Sequence, residues 1–285
     1  MRIIVTGGNS GVGRATAAAL AEAGHSVVIA CRTIPKGEQA AAEMAGEVKV
    51  RHLDLADLAS VRTFADSVDS VDVLVNNAGV LCLPMTRTAD GFEAQMGTNH
   101  LGHFALTCLL GDKIKDRVIS VGSAMYVFGR IHLDDVNWHT RKYSRWAAYA
   151  QSKLANMLFI DELARRGVRA YASDPGSADT DITRDSIGLL HWLGDHKVVT
   201  FHLQSPRNAA RASIEAVTTQ LPSGSYLAPR FNQWGKPEVT KVRRKGREAV
   251  MARRLWELSA ELTGCDWAGS PVRADTRPAQ PFDED

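Results

Sequence analysis

The run Ile3-Ile4-Val5-Thr6-Gly7-Gly8-Asn9-Ser10-Gly11-Val12-Gly13, continuing as Arg14-Ala15-Thr16-Ala17-Ala18-Ala19-Leu20, decides the fold. A short β-branched strand is followed by a glycine turn and then by an alanine-rich stretch of helical periodicity. That is the order in which a chain builds a cradle for a dinucleotide pyrophosphate. The backbone there has to turn tightly, admit a phosphate and pack a helix on the strand, while N–H groups and the helix dipole face the anion. Gly7, Asn9, Ser10, Gly11, Val12 and Gly13 are the expected cradle, with Arg14 beside it.

Further β-branched runs recur at 27–30, 48–52, 71–75, 118–121, 168–172 and, more weakly, 226–228. Between them lie stretches of 3.6-residue periodicity at about 12–23, 37–45, 58–68, 92–110, 147–166 and 207–218. Strands separated by helices have to run parallel, and the helices then cover both faces. The sequence therefore predicts an α/β fold: a doubly wound (Rossmann) parallel seven-stranded sheet with helices on both faces. A single domain is expected over 1–269, with an apolar, irregular lid at about 181–205 and a disordered tail at 270–285. The helical stretch 251–262 closes the fold.

Composition narrows the function. The chain has 285 residues, 45% apolar and 23% charged, and 34 basic against 32 acidic side chains leave a net charge of +2. So even a balance argues against nucleic acid as the main partner, since phosphate binding needs a concentrated basic face. The basic run Lys241-Val242-Arg243-Arg244-Lys245-Gly246-Arg247 reads as the solvated approach to a helix. No apolar run approaches the ~20 residues of a membrane span. The four cysteines are far apart with no CxxC pair, and the chain opens directly on a strand, so a reducing, cytoplasmic setting is expected. His100 and His103 lie three apart on a predicted helix, but no carboxylate or cysteine completes a site, and no metal is expected.

The second strand ends Ala30-Cys31-Arg32-Thr33, where a binder of NAD carries an acid for the ribose hydroxyls. None is present. Arg32, with Arg14, instead offers guanidinium groups matched to the extra phosphate of NADP, so NADP is the expected cofactor and NAD the lesser one.

Taken together, TGGNSGVG, Asp54-Leu55, Asn76-Asn77-Ala78-Gly79, Asn99, Ser123, Tyr149-x-x-x-Lys153 and Pro175-Gly176 resemble, in that order, the short-chain dehydrogenase/reductase family over essentially the whole chain. The strings at 90–107 (DGFEAQMGTNHLGHFALT), 147–166 (AAYAQSKLANMLFIDELARR) and 252–262 (ARRLWELSAEL) look most like its retinol dehydrogenase branch. The resemblance implies a catalytic set of Asn99, Ser123, Tyr149 and Lys153. Tyr149 exchanges a proton with the substrate oxygen as hydride passes to or from the nicotinamide, and Ser123 fixes that oxygen. Asn99 supports a water relay ending at Lys153. Similarity also places Asp54 and Leu55 by the adenine, Asn76, Ala78 and Gly79 along the cofactor, and Pro175, Gly176 and Thr180 near the nicotinamide, with Tyr149 and Lys153 touching its ribose.

Residues four apart share a helical face, so the Lys153 ammonium is expected to lower the hydroxyl of Tyr149 from its ordinary value near ~10. Two positions depart from the family. Gly122 stands where a second serine is usual, and Asp174 precedes Pro175-Gly176 where relatives of this branch often have histidine. The 25 residues between Ser123 and Tyr149 carry Trp138 and Trp146 and are expected to wall a pocket with Leu81, Leu83, Tyr126, Val127, Phe128 and the lid. The function expected is hydride transfer between NADP and the carbonyl or hydroxyl carbon of a lipophilic small molecule. A non-catalytic NADP-binding redox sensor of the same fold is the alternative, and a homo-oligomer is open.

Overall fold

The computed structural model describes residues 1–176, 204–231 and 234–269. Most of the expected lid and all of the expected tail lie outside them, as does Thr180.

Alternation within the strands divides the apolar side chains into two cores. In β1 (Arg2–Thr6), Ile4 points to one face while Ile3 and Val5 point to the other, and all three are buried. The period of two repeats in β4 (Val71–Asn76), where Leu74 joins the first face and Val73 and Val75 the second. A strand apolar on both sides is stable only inside a covered parallel sheet.

The first face is closed by α3 (Leu58–Asp66), α5 (Gly102–Leu109), α6 (Arg145–Arg165) and the C-terminal α9 (Ala249–Thr263), through Phe64, Phe104, Leu158 and Trp256. Opposite them α1 (Gly11–Glu22) and α8 (Arg211–Thr218) contribute Leu20 and Val217. Among the described residues the remaining α-helices are α2 (Ile34–Ala42), α4 (Ala94–Met96) and α7 (Pro206–Ala209). Among the described residues no helix is long and apolar enough to cross a membrane.

With β2 (Ser26–Cys31), β3 (Val48–His52), β5 (Ile114–Val121), β6 (Ala170–Ser173) and β7 (Tyr226–Pro229), the sheet has the order β3-β2-β1-β4-β5-β6-β7, all parallel. An eighth strand, β8 (Pro237–Val239), then adds antiparallel beside β7, with Leu227 opposite Val239. The expected seven strands are present, and β8 exceeds them. Its half-buried proline and two exposed residues carry no apolar alternation and sit at an edge where proline is tolerated.

The chain crosses from β3 back to β4, so the winding reverses between β1 and β4. Ligands of such sheets sit outside the carboxyl ends of the strands at that reversal. The ends of β1, β4, β5 and β6 are followed by Gly7, Asn77, Gly122 and Asp174, so the fold brings the motifs to one edge.

Candidate active site

At the end of β1 the glycine turn is packed closely enough to exclude side chains. A Cβ on Gly13 would lie 2.4 Å from the Gly7 carbonyl oxygen and 2.3 Å from Asn77 Nδ2. Gly7 itself has φ of +65°, which L side chains rarely adopt. Ser10 precedes α1 but places no side-chain oxygen on its first-turn N–H groups, which leaves that helix end suited to an anion. The cradle fits the pyrophosphate of a nicotinamide dinucleotide. Arg32, just past β2, is exposed at the same edge, while Arg14 pairs with Glu43 at 2.5 Å.

Beyond β3, Asp54 turns its carboxylate to the Ala56 N–H at 2.9 Å and its own N–H to Ser60 Oγ, while Leu55 is buried. Asn76, at the end of β4, faces inward and donates to Thr107 Oγ1 at 2.9 Å. Ala78 donates its N–H to Thr6 Oγ1. A Cβ on Gly79 would lie 3.2 Å from Asn99 Oδ1 and 3.9 Å from Lys153 Nζ, which sets those two groups side by side.

The helix expected over 92–110 is not continuous. It runs as α4, a π-helical turn at Gly97–Leu101 and α5. Such wider turns are frequent at functional sites, and this one holds Asn99. Its side chain exchanges hydrogen bonds with the Val80 backbone at 2.7 and 3.0 Å and donates to Ser152 Oγ at 2.9 Å.

Its main-chain carbonyl receives His103 Nδ1 at 3.1 Å. Because a carbonyl only accepts, Nδ1 carries the proton, and Nε2 accepts from Thr6 Oγ1 at 2.9 Å. His100 is also buried, with Nε2 3.0 Å from Ser259 Oγ. The paired histidines are core groups, and burial holds them neutral, lowering His100 to about 3 and His103 to about 4.

Tyr149 and Lys153 occupy one face of α6, and both are buried against the sheet edge. The Tyr149 hydroxyl shares a hydrogen bond with the Ser123 side chain. Lys153 Nζ donates to the Val121 carbonyl at 2.9 Å and lies 5.7 Å from the centre of the Tyr149 ring. Asn99, Ser123, Tyr149 and Lys153 thus converge between the ends of β4 and β5.

One expectation is corrected here. The Tyr149 hydroxyl is raised above its ordinary value, not lowered. Burial dominates, Ser123 works against it, and Asp174 and Cys82 add to it. Lys153, its ammonium committed to Val121, is itself lowered by burial to about 8, with Asp174 pulling the other way.

Asp174 is the group whose place the sequence did not disclose. Its carboxylate accepts from Tyr226, 52 residues later on β7, and from the Gly176 N–H. Pro175 offers its carbonyl to Gln204 at 3.1 Å, and Gly176 has φ of +66°. The expected pocket wall is rearranged. Trp138 packs on Tyr143 and under Arg141, and Tyr126 sets its ring edge on Tyr226 and its hydroxyl on the Arg243 N–H. Both are core residues. Phe128 is 75% exposed and Trp146 46%.

A family model for short chain dehydrogenases matches residues 1–187. The human protein named retinol dehydrogenase 13 is 42% identical, with 93% of this chain and 85% of that protein covered. The mouse protein named retinol dehydrogenase 11 is 39% identical, with 93% and 87% covered. A crystal structure of an uncharacterized protein from Mycobacterium paratuberculosis superposes with a TM-score of 0.82 at 44% identity, covering 93% of this chain and 94% of that one.

Proposed function

The chain belongs to the short-chain dehydrogenase family, in its retinol dehydrogenase-like branch, and on that premise we propose that it is an NADP-dependent oxidoreductase acting on a lipophilic carbonyl or alcohol, with Tyr149 as general acid and base. That it is a nicotinamide-dependent enzyme of CH–OH and C=O groups follows from the family. The cofactor's extra phosphate, the proton carrier and the substrate class are the proposal's own.

The observation that carries it is the meeting of Tyr149, Ser123 and Lys153 at the sheet edge beside the glycine turn. When bound, the nicotinamide supplies or accepts the hydride. Tyr149 gives its hydroxyl proton to the substrate oxygen in reduction and takes one back in oxidation. Ser123, already in hydrogen-bond contact with that hydroxyl, holds the substrate oxygen in line with it. Burial keeps Tyr149 protonated at neutral pH, the form that reduction needs. Lys153, anchored to Val121 and beside Asn99, supplies a positive charge that favours the phenolate left behind.

Gly7, Asn9, Ser10, Gly11, Val12 and Gly13 would hold the pyrophosphate, and Arg32 with Arg14 the ribose phosphate. Asp54, Leu55, Asn76, Ala78, Gly79, Pro175, Gly176 and Thr180 keep their assignments along the cofactor. The lipophilic substrate is supported by the names of the relatives, which are retinol dehydrogenases. Keeping both tyrosine and lysine favours catalysis over the sensor alternative. A panel of long-chain and aromatic aldehydes, ketones and alcohols, followed by NADPH and NADH absorbance, tests the reading. Turnover of lipophilic members with NADPH supports it, and turnover of small polar carbonyls alone, or with NADH alone, overturns it.

A further inference from the structure

Asp174 closes β6 at the site edge and is 2% exposed. Tyr226 donates to its Oδ2 at 2.5 Å, the Gly176 N–H donates to Oδ1 at 2.8 Å, and the Ala124 N–H donates as well. Burial pushes the Asp174 carboxyl up, and the Tyr226 hydroxyl, the Gly176 and Ala124 N–H groups and the Lys153 ammonium oppose it by stabilising the carboxylate. Neither a buried carboxylate nor a buried ammonium is stable alone, and Lys153 is the buried cation next to it. The register shows why. Lys153 Nζ sits on Val121, Val121 pairs with Ser173, and Asp174 follows directly.

On the reading that Tyr149 and Lys153 carry the proton, we propose that Asp174 is a positioning residue of the reaction: a carboxylate fixed at the end of β6 by Tyr226 and two backbone N–H groups, which sets a negative charge beside the Tyr149–Lys153 pair. It touches neither by a hydrogen bond and acts through the field in a desolvated edge, where charge is weakly screened. Its negative charge opposes loss of the proton from Tyr149 and from Lys153 alike. The two protons leave as a coupled pair, but because both effects have one sign, the first ionisation moves up whichever group gives it.

The other groups facing the pair do not supply this charge. Among the described residues, Cys82 faces Tyr149 from the segment after β4, and burial raises its thiol to about 11, so it is neutral near pH 8. His103 faces Lys153 from α5 and is neutral. Tyr226, with the Tyr126 ring edge-on behind it, also stays protonated, being raised by burial and by Asp174 itself.

The test is the pH profile of alcohol oxidation, measured with NADP and a substrate found in the panel, for the wild type, D174N, Y226F and Y149F. In D174N the rising limb should move to lower pH by about 1 unit, the scale on which one nearby charge acts. Y226F removes one of the three hydrogen bonds that hold the charge against burial and leaves the carboxyl group in place, so its limb should move less than that of D174N. If D174N fails to fold, D174S, whose hydroxyl can still accept from Gly176, gives the same measurement. A limb that stays in place in a neutral variant, or moves down equally in Y226F, overturns the proposal. Y149F separates the two levels. If it abolishes turnover while D174N leaves the limb unmoved, only the role of Asp174 fails; if it retains turnover, the reading beneath it fails.

Discussion

Thr6 Oγ1 lies 2.9 Å from His103 Nε2, joining the strand that leads into the glycine turn to α5, which directly follows the π-helical turn holding Asn99. The same hydroxyl accepts the N–H groups of Asn77 and Ala78, each at 2.9 Å. One buried imidazole therefore ties together the ends of β1 and β4 and the carbonyl of Asn99, and it does so only in its neutral form.

That dependence sets a pH response. The folded protein holds His103 at about 4 and His100 at about 3, against 6.5 in the unfolded chain. Above pH 6.5 neither state binds these protons and stability is unaffected. As pH falls from 6.5 towards 4, the unfolded chain binds them first, and each histidine removes about 1.4 kcal/mol per pH unit. Urea midpoints should fall steeply from pH 6.5 to 5, less so in H103N. His103→Leu, which strands a buried donor and a buried acceptor, should cost about 2 kcal/mol or more at pH 7. A flat stability profile below pH 6.5 would contradict the network.

Gly13→Ala should damage cofactor binding and stability together. The new methyl meets the Gly7 carbonyl and the Asn77 amide, and that amide is fixed by its own bond to the Thr6 carbonyl at 2.7 Å. Because one neighbour is backbone, α1 must shift, at about 1–3 kcal/mol. NADPH affinity, read by quenching of tryptophan fluorescence, should fall more than about 10-fold, since the displaced helix end is the anion site. Unchanged affinity would remove the cradle from the account.

Arg32→Asp should weaken NADPH by about 10-fold or more and leave NADH nearly unaffected, since a charge-assisted bond to phosphate contributes about 1.5–3 kcal/mol. Arg14 is bound to Glu43 in a half-exposed pair, and such pairs contribute about 0–1 kcal/mol, so a phosphate can recruit it at little cost. Glu43→Gln should raise NADPH affinity about 2-fold. Equal effects of Arg32→Asp on the two cofactors would rule out the clamp.

Much of this was legible because buried parallel strands announce themselves locally. Val27, Ile29, Val73 and Val75 are apolar for reasons that hold within five residues, and the glycine turn is fixed by sterics over seven. The limits are equally physical. β8 is a short edge with proline and glutamate, held by pairing with β7 rather than by its own pattern. The π-helical turn at Asn99 differs from an α-helix by one hydrogen-bond step, which periodicity does not resolve. The hydrogen bond of His103 to the Asn99 carbonyl was not read from the sequence, and its other partner, Thr6, is 97 residues away. Asp174 was visible as a departure from the family, whereas Tyr226 was not visible as its partner. The expected lowering of Tyr149 by Lys153 failed because spacing reports proximity and not desolvation, and burial is the larger effect.

The assignment of the proton to Tyr149 is tested most directly by Tyr149→Phe, which removes one buried oxygen and leaves Lys153 on Val121. The variant should bind NADPH as the wild type does while kcat for carbonyl reduction falls by about 100- to 10,000-fold, the range contributed by a positioned acid. A variant that binds NADPH normally and keeps most of its turnover would contradict the account.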